Sequence, residues 1–241
     1  MISLAAEPIY KIGAFTLTNS YVDLLLVDII IIGGAVYISK NIKLIPGYFQ
    51  NLVELLIDLI FNLTESVAAE RAKKIFPYFM TFFLFILISN WTGLLPIINS
   101  MGFFEGKTFT PLIRSASTDL NITLGLALVS IVATHTMSIK TLGIKEYISR
   151  YLSFNPFNLF IGLLELISEF TKIISFSFRL FGNIFVGEVM LASLSAVSVF
   201  LLPIPLLMYE LAVGIIQAVI FGMLTMAFMA ILTTPHSTEK H

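Results

Sequence analysis

The stretch Ser175-Phe-Ser-Phe-Arg-Leu-Phe-Gly-Asn-Ile-Phe-Val-Gly-Glu188 places a charged side chain, Arg179, in the most apolar part of a very apolar chain. An arginine at the centre of a membrane helix costs roughly 2.5 to 3.5 kcal/mol on insertion scales. Such a side chain usually faces protein or a water-filled path. The stretch therefore predicts a membrane helix with a role in ion movement.

The whole chain has the composition of a membrane protein. Of its 241 residues, 57% are hydrophobic and 12% are charged, unlike the residues of ordinary soluble domains. The formal net charge is -1 and the basic residues fall in a few short segments, so nothing indicates a nucleic-acid surface. The absence of cysteine excludes disulfides and thiolate-bound metals. The N-terminus lacks the basic region and cleavage site of a signal peptide, so we expect the first apolar run to be retained.

Five stretches are long and apolar enough to cross a bilayer, which takes about 20 helical residues. Between Lys43 and Arg71, polar residues recur every three or four positions among leucines and isoleucines, which predicts an interfacial amphipathic helix. A sixth span is the alternative, although Glu54 and Asp58 in its middle would be costly. We predict a single all-α membrane domain with an external segment at 1–20, span 1 at 21–39, the interfacial helix at 46–71, span 2 at 76–98, an external loop at 99–118, span 3 at 119–141, a long helix at 156–202, a last helix at 204–233 and a cytoplasmic tail at 234–241.

The basic residues indicate which loops face the cytoplasm. Most of them follow the first span, precede the second or follow the third, and the positive-inside rule places that side in the cytoplasm. Lys11, Lys107 and Arg114 fall on the other side. With five crossings, the N-terminus is then outside and the C-terminal tail is inside.

The segment between Pro156 and Pro203 is too long for one upright span. As a single helix it would measure roughly 69 Å at 1.5 Å per residue, over twice a hydrocarbon thickness of about 30 Å. Either Gly182 or Gly187 breaks it into two spans, or it forms one strongly tilted helix packed against protein. No Lys or Arg occurs in 180–202, so the charge bias leaves both alternatives open.

A stripe of polar residues follows this segment. Successive residues of a helix are about 100° apart, so positions three or four apart share a face. Glu188 falls about 180° around from Arg179 and some 13 Å further along the axis. In the last span, Glu210 and Gln217 share a face with Gly214, which allows a neighbouring helix to approach closely. The stripe consists of Glu165, Ser168, Lys172, Ser175, Arg179 and Asn183.

These residues supply two kinds of charge. Arg179 keeps its proton at any accessible pH, so it is a fixed cation that attracts carboxylates and repels a passing cation. Glu188 and Glu210 can take up and release protons. Interhelical hydrogen bonds would explain single polar residues, but apolar packing would hold helices together without burying charges. The sequence predicts a barrier flanked by proton-binding groups.

Several motifs in this chain occur together in one known family. They are Arg179-Leu-Phe-Gly-Asn-Ile-Phe-Val-Gly-Glu188, Gln217-Ala-Val-Ile-Phe221, Asn90-Trp-Thr-Gly-Leu-Leu-Pro96, Asp119-Leu-Asn-Ile-Thr123 and Ile45-Pro-Gly-Tyr-Phe-Gln-Asn-Leu-Val-Glu54. At these residues, and over most of its length, the chain resembles subunit a of the F-type rotary ATP synthases, the membrane stator subunit beside the proteolipid c-ring. The motifs together are far more specific than any one of them.

The resemblance implies a fold and a set of site residues. The last two helices would form a long tilted hairpin against the c-ring, with two offset aqueous half-channels. Arg179 resembles the stator arginine that meets the ring carboxylate and separates the channels, and Asn183 and Gln217 match its polar neighbours. Glu188 and Glu210 would line the outer half-channel. The positions toward the cytoplasmic half-channel would be those of Glu165, Lys172 and Ser175.

One departure from the family concerns Glu188 and Glu210. The family often has a histidine at one of the two matching positions, and both are glutamate here. If the two carboxylates approach closely, we expect them to share a proton through coupled titration rather than to form an imidazole–carboxylate relay.

The resemblance also implies partners and a location. The partners would be the c-ring proteolipid, the peripheral stalk subunit b, other F-type ATP synthase subunits and the lipid bilayer, without nucleic acid. The subunit would make no ATP on its own but would carry protons for the H+-transporting two-sector ATPase, and we expect no catalytic residue, metal or cofactor in it. A bacterial inner membrane is the expected location, with an organellar membrane as the alternative. Protons are the expected ion, with a sodium-coupled version of the subunit as the alternative.

Two functions of other classes compete with this one. A stand-alone cation/proton antiporter commonly has an internal repeat with paired broken helices, which we do not find in the sequence. An intramembrane enzyme that uses Glu188 or Glu210 as a general base needs a convergent nucleophile or a cofactor. His135 stands alone within a span, so we expect it to be hydrogen bonded in the bundle rather than to bind a metal.

Overall fold

The computed structural model describes residues 8–12, 15–95, 102–105, 108–111, 113–151, 156–198 and 201–234. Within these residues the chain forms α-helices and two short β-hairpins. The helices are α1 (Asn19–Lys40), α2 (Tyr48–Ala68), α3 (Ala72–Leu94), α4 (Leu120–Leu142), α5 (Ile144–Tyr151), α6 (Pro156–Val197) and α7 (Pro203–Thr233). The antiparallel hairpins pair β1 (Pro8–Ile12) with β2 (Phe15–Thr18) and β3 (Gly102–Glu105) with β4 (Thr108–Pro111).

Five helical segments of the described chain are long and apolar enough to cross a membrane, which confirms the predicted fold class. Four of them lie in α1, α4, α6 and α7. The remaining one is the continuous unit Tyr48–Leu94, in which α2 runs into α3 through a 3-10 turn at Ala69–Arg71. Ala69 has a φ of 44°, a left-handed value that is uncommon outside glycine. The predicted interfacial helix and the second span therefore meet at one tight turn.

Some helix ends differ from the predicted bounds. Span 2 begins at Ala72 rather than at residue 76, because the turn before it leads straight into the helix. Its predicted end at residue 98 lies outside the described residues. At the start of α4, the Asp119 side chain accepts a hydrogen bond from the Asn121 backbone N–H at 2.9 Å. This cap satisfies one of the free donors at the helix N-terminus.

The structure also contains elements that the sequence analysis did not predict. Helix α5 has 8 residues, too few for a helical period to stand out from the sequence. Both hairpins lie in segments predicted only as external, because each of their strands has 4 or 5 residues.

Helix α6 is a single helix of 42 residues, about 63 Å long at 1.5 Å per residue. It passes through Gly182 and Gly187 without a break, so the structure contains the long helix rather than two spans. A helix of this length must tilt in a bilayer or project from it. Helix α7 starts shortly afterwards and packs against α6, so the two form a hairpin.

The hydrophobic core lies between α3, α4, α6 and α7. Phe79 and Ile86 of α3 are fully buried. The ring of Phe221 in α7 lies 5.6 Å from that of Phe82 and 5.0 Å from that of Phe176, measured between centroids. This packing turns the polar face of α7 inward and leaves one face of α6 uncovered, and both faces carry residues of the predicted site.

Gly222 lies at a close approach of α7 to α3, because a Cβ atom there would overlap the ring of Phe79. We expect Gly222→Ala to cost about 1 to 3 kcal/mol of stability, as overpacking of a filled core usually does. Gly33→Ala is the matched control, since a Cβ at Gly33 meets nothing within 4 Å. The measurement is the midpoint of heat-induced aggregation of the purified complex. Equal midpoints for both variants would contradict the tight packing of α3 against α7.

Candidate functional site

Arg179 lies on the uncovered face of α6, and its side chain is exposed. Its Nη2 donates to Ser175 Oγ at 3.4 Å. In the described part of the chain, no ion pair joins Arg179 to an acidic side chain. Phe178 and Val186, which are also exposed, lie on the same span. A permanent charge on such a surface is costly against lipid, so this face is suited to meeting an acidic partner.

The predicted polar stripe lies along one side of α6, and burial divides it in two. Ser168, Ser175, Arg179 and Asn183 are exposed, whereas Glu165 and Lys172 are half-buried and paired. Glu165 Oε1 accepts from Arg150 Nε of α5 at 2.7 Å. Lys172 Nζ lies 2.8 Å from Glu169 Oε1 and 3.9 Å from the centroid of the Phe228 ring. Arg179 thus lies among exposed residues, and the two paired residues, Glu165 and Lys172, lie nearer the N-terminal end of the helix.

Glu210 and Gln217 lie on the inward face of α7, with 6% and 7% of their surface exposed. Glu210 Oε1 is buried and has no hydrogen-bond partner among the described residues. Gly187 of α6 faces this carboxyl group so closely that a Cβ atom there would overlap it. A cavity of about 180 Å³ between α6 and α7 is lined by Asn183, Gly187 and Glu210, among others. The cavity therefore joins the buried carboxyl group to a residue one helical turn from Arg179.

Glu188 has different surroundings from Glu210. Its Oε2 lies 3.3 Å from Nη2 of Arg114, and their side chains are 31% and 6% exposed. Glu188 directly follows Gly187, the residue whose backbone faces the Glu210 carboxyl group. Whether they share a proton stays a prediction. The sequence analysis used Arg114 only to orient the external loop, and nothing in the local sequence indicates its pairing with Glu188.

Asp23 of α1 is a buried residue that the sequence analysis did not single out. Its Oδ2 accepts a hydrogen bond from the Ala116 backbone N–H at 2.7 Å and another from Ser89 Oγ at 3.5 Å. The hydroxyl groups of Ser89 and Ser117 are 3.4 Å apart. These bonds hold the turn before α4 against α1 and α3, and so position Arg114 beside α6. The sequence signal that could have identified Asp23 is its position as an acidic residue within the first apolar run.

The motif that begins at Asn90 connects α3 to the inward face of α7. Asn90 Nδ2 donates to the carbonyl oxygen of Gly214 at 3.3 Å. Trp91 Nε1 donates to the carbonyl oxygen of Leu211 at 3.4 Å. A Cβ at Gly214 would lie 3.2 Å from that of Asn90, so the close approach expected at this glycine is confirmed. These contacts fix the part of α7 that carries Glu210.

His135 is hydrogen bonded in the helix bundle, as predicted. Its Nδ1 lies 3.0 Å from the Tyr147 hydroxyl group. Its Nε2 lies 3.6 Å from Glu169 Oε2. The sequence analysis did not foresee either partner, because α4, α5 and α6 meet only in the folded chain.

The arrangement is that of a membrane protein with an exposed arginine, a buried carboxyl group beside a cavity and a second, paired glutamate. Residues 21–230 match the sequence profile of the family described as ATP synthase A chain. The chain belongs to the ATP synthase A chain family. It is 30% identical over 224 residues to ATP synthase subunit a 2 of Pelobacter propionicus, covering 93% of this chain and 90% of that one. It is 33% identical over 210 residues to ATP synthase subunit a of Acidothermus cellulolyticus, covering 85% of this chain and 73% of that one.

Membership of the ATP synthase A chain family confirms the predicted resemblance to subunit a of the F-type ATP synthases. It accounts for a multi-pass membrane protein whose work is proton transport in ATP synthesis. The individual roles of Arg179, the two glutamates and the stripe residues are not fixed by membership.

Proposed function

We propose that this chain is the stator subunit that conducts protons past a c-ring, with Arg179 as the barrier between two half-channels. The observation that carries the proposal is the position of the guanidinium group, exposed on the uncovered face of α6 and without an acidic partner in the described chain. An acid group of the ring would supply that partner. The fixed charge would hold the ring carboxylate in its ionised form and would block cations from crossing directly.

The outer half-channel runs between α6 and α7 in this proposal. The cavity beside Glu210 reaches Asn183, so a proton that leaves the Glu210 carboxyl group has a short way to the ring face. Glu188, held by Arg114, lies further along α6 toward its C-terminal end. Gln217 lies on the same buried face of α7 as Glu210 and would supply a polar side chain on the way to the barrier.

The cytoplasmic half-channel follows the paired part of the stripe. Ser175 lies next to Arg179. Lys172 lies about one helical turn from Ser175, and Glu165 about two turns further, both toward the N-terminal end of α6. The basic residues Lys140, Lys145 and Arg150 lie at that end, which the positive-inside rule assigns to the cytoplasm. The N-terminus would then be outside and the C-terminus inside, in a bacterial inner membrane.

The cycle that follows is directional. A ring carboxylate takes up a proton from the outer half-channel, passes through lipid as a neutral acid and releases its proton to the cytoplasmic half-channel after nearly a full turn. Arg179 then receives the ionised carboxylate. The membrane potential supplies about 2.3 kcal/mol per proton per 100 mV, and rotation drives ATP synthesis in the attached catalytic sector. The c-ring and the peripheral stalk subunit b are the partners in this scheme.

Purification and reconstitution test the proposal. We expect the chain to purify from membranes together with a proteolipid ring and a peripheral stalk. Purified alone and placed in liposomes, it should not transport protons, because the ring supplies the moving carboxylate. Cation/proton exchange by the chain alone would overturn the proposal in favour of an antiporter.

A further inference from the structure

A second group of ionisable side chains lies where α4, α5 and α6 meet, away from the outer glutamates. His135 contacts Tyr147 through Nδ1 at 3.0 Å and Glu169 through Nε2 at 3.6 Å. The other oxygen of Glu169 accepts from Lys172 Nζ at 2.8 Å. The side chains of His135, Glu169 and Lys172 are 22%, 12% and 16% exposed. They are therefore sheltered, but not sealed off from water.

His135 can change its charge in this setting without losing a hydrogen-bond partner. The Tyr147 hydroxyl group donates to Nδ1 when that nitrogen is bare and accepts from it when it carries a proton. Burial raises the pKa of Tyr147, so the phenol keeps its proton and can act as either a donor or an acceptor. The Glu169 carboxylate faces the other ring nitrogen and stabilises an imidazolium ion. Histidine is the side chain whose charge ordinarily changes between pH 5 and 8.

The group lies on the cytoplasmic side of the barrier. Along α6, Lys172 and Glu169 are about 10 and 15 Å from Arg179 toward the helix N-terminus. Ser175 stands between them and Arg179, and it accepts a hydrogen bond from the guanidinium group. In the proposed cycle, a proton that the ring releases into the cytoplasmic half-channel travels along this part of α6 to the cytoplasm.

The charges around His135 come from two helices. Helix α7 faces the group with Phe228, and Lys172 Nζ lies over the ring of that residue. The one charged residue of α7, Glu210, lies in the opposite half of the helix. The ring of Tyr147 contacts that of Tyr151, with 5.3 Å between centroids. The titratable and charged groups facing His135 from α5 and α6 are Tyr147, Tyr151, Arg150, Glu165, Glu169 and Lys172.

A structural role alone would not require a histidine here. Glu169 and Lys172 already neutralise each other at 2.8 Å, and Glu165 is paired with Arg150. An apolar side chain at position 135 would complete the packing of α4 against α6 without desolvating a polar ring. The histidine adds a site that can hold one further proton.

We propose that His135 and Glu169 form a proton-holding pair at the cytoplasmic end of the path, an inference that rests on the proposed function. The O–H bond of a ring carboxylic acid breaks near Arg179, and the proton moves through water to the bare nitrogen of the neutral imidazole. The resulting imidazolium ion is held by the Glu169 carboxylate. It then gives one proton to cytoplasmic water, which restores the neutral ring and leaves no net change in the pair.

The test is proton flux through the assembled complex in proteoliposomes, with the pH on the cytoplasmic face varied from 5 to 8. We expect His135→Gln to lower the flux roughly tenfold. This loss is smaller than the roughly 10²- to 10⁴-fold contribution of a positioned acid or base, because water replaces the pair. The variant should also lose the response of the flux to cytoplasmic pH in this range. In His135→Ala, imidazole added on the cytoplasmic face should restore flux.

Glu169→Gln, of nearly equal shape, should reproduce the loss of flux and of the pH response. The control is the double variant His236→Gln and His241→Gln, which removes the other histidines of the chain and should keep the normal profile. All rates are taken per assembled complex. Normal flux and pH response in both pair variants would overturn the inference, and so would a fall in flux with an unchanged pH response and no rescue by imidazole.

The same preparation separates this inference from the proposed function. Arg179→Ala is measured in parallel. If that variant keeps full coupled pumping, the proposed function fails. If that variant loses coupled pumping while the His135 and Glu169 variants behave normally, only the role of the pair is wrong.

Discussion

Arg179→Ala should abolish coupled proton pumping while the complex still assembles. Among the described residues the side chain makes one hydrogen bond, of 3.4 Å to Ser175, and it is exposed, so its removal leaves the packing of α6 intact. Without the fixed charge, nothing holds the ring carboxylate ionised or keeps the two half-channels apart. The measurement is ATP-driven acidification of inverted membrane vesicles, together with their passive proton leak after the catalytic sector is removed. We expect no ATP-driven acidification and a larger leak.

Two further variants define the cause of that loss. Arg179→Lys keeps a cation but loses the planar fork that binds carboxylates with two parallel bonds, so we expect pumping well below normal. Lys145→Ala also removes one exposed cation, on α5, and should pump normally. Full coupled pumping by Arg179→Ala, at a normal content of the chain in the complex, would remove the proposed role of the arginine.

The features of the fold that could be predicted are those with long, local signals. Apolar length alone indicated all five spans, since a helix crossing the hydrocarbon must satisfy its own backbone within one continuous segment. Sequence reasoning left α6 open between one helix and two, because glycine permits a break but does not require it. Helix α5 and the β-hairpins were missed, since 4 to 8 residues are too few for a reliable period.

The predicted site likewise contains features with a local sequence signal and features without one. The stripe on α6 could be predicted because residues three or four apart share a helix face, and the structure places Arg179 and Asn183 together on the uncovered side. Contacts between distant segments could not be predicted. Arg114 meets Glu188, and His135 meets Glu169, only because separate helices pack together. A single sequence contains no periodic signal for such pairs.

Glu210→Gln should lower proton flux on the order of 100-fold, the lower end of what a positioned acid or base contributes. The carboxyl group is buried, lacks a hydrogen-bond partner in the described chain and lines the cavity between α6 and α7. Glutamine fills the same space but cannot release a proton to the ring. The measurement is passive proton flux in vesicles as a function of pH on the outer face. Glu210→Asp, which keeps an acid on a shorter side chain, should retain more of the flux.

Glu188→Gln tests whether the two outer glutamates act together. If they share a proton, their variants are coupled, and the double variant should conduct no less than Glu210→Gln alone. Independent relay steps would instead multiply the two losses. Because Glu188→Gln also takes the carboxylate away from the buried Arg114, the triple variant with Arg114→Gln is the control for that lost ion pair. An unchanged pH profile in both single variants would show that neither carboxyl group carries protons, and multiplied losses that persist in the triple variant would show that they carry them separately.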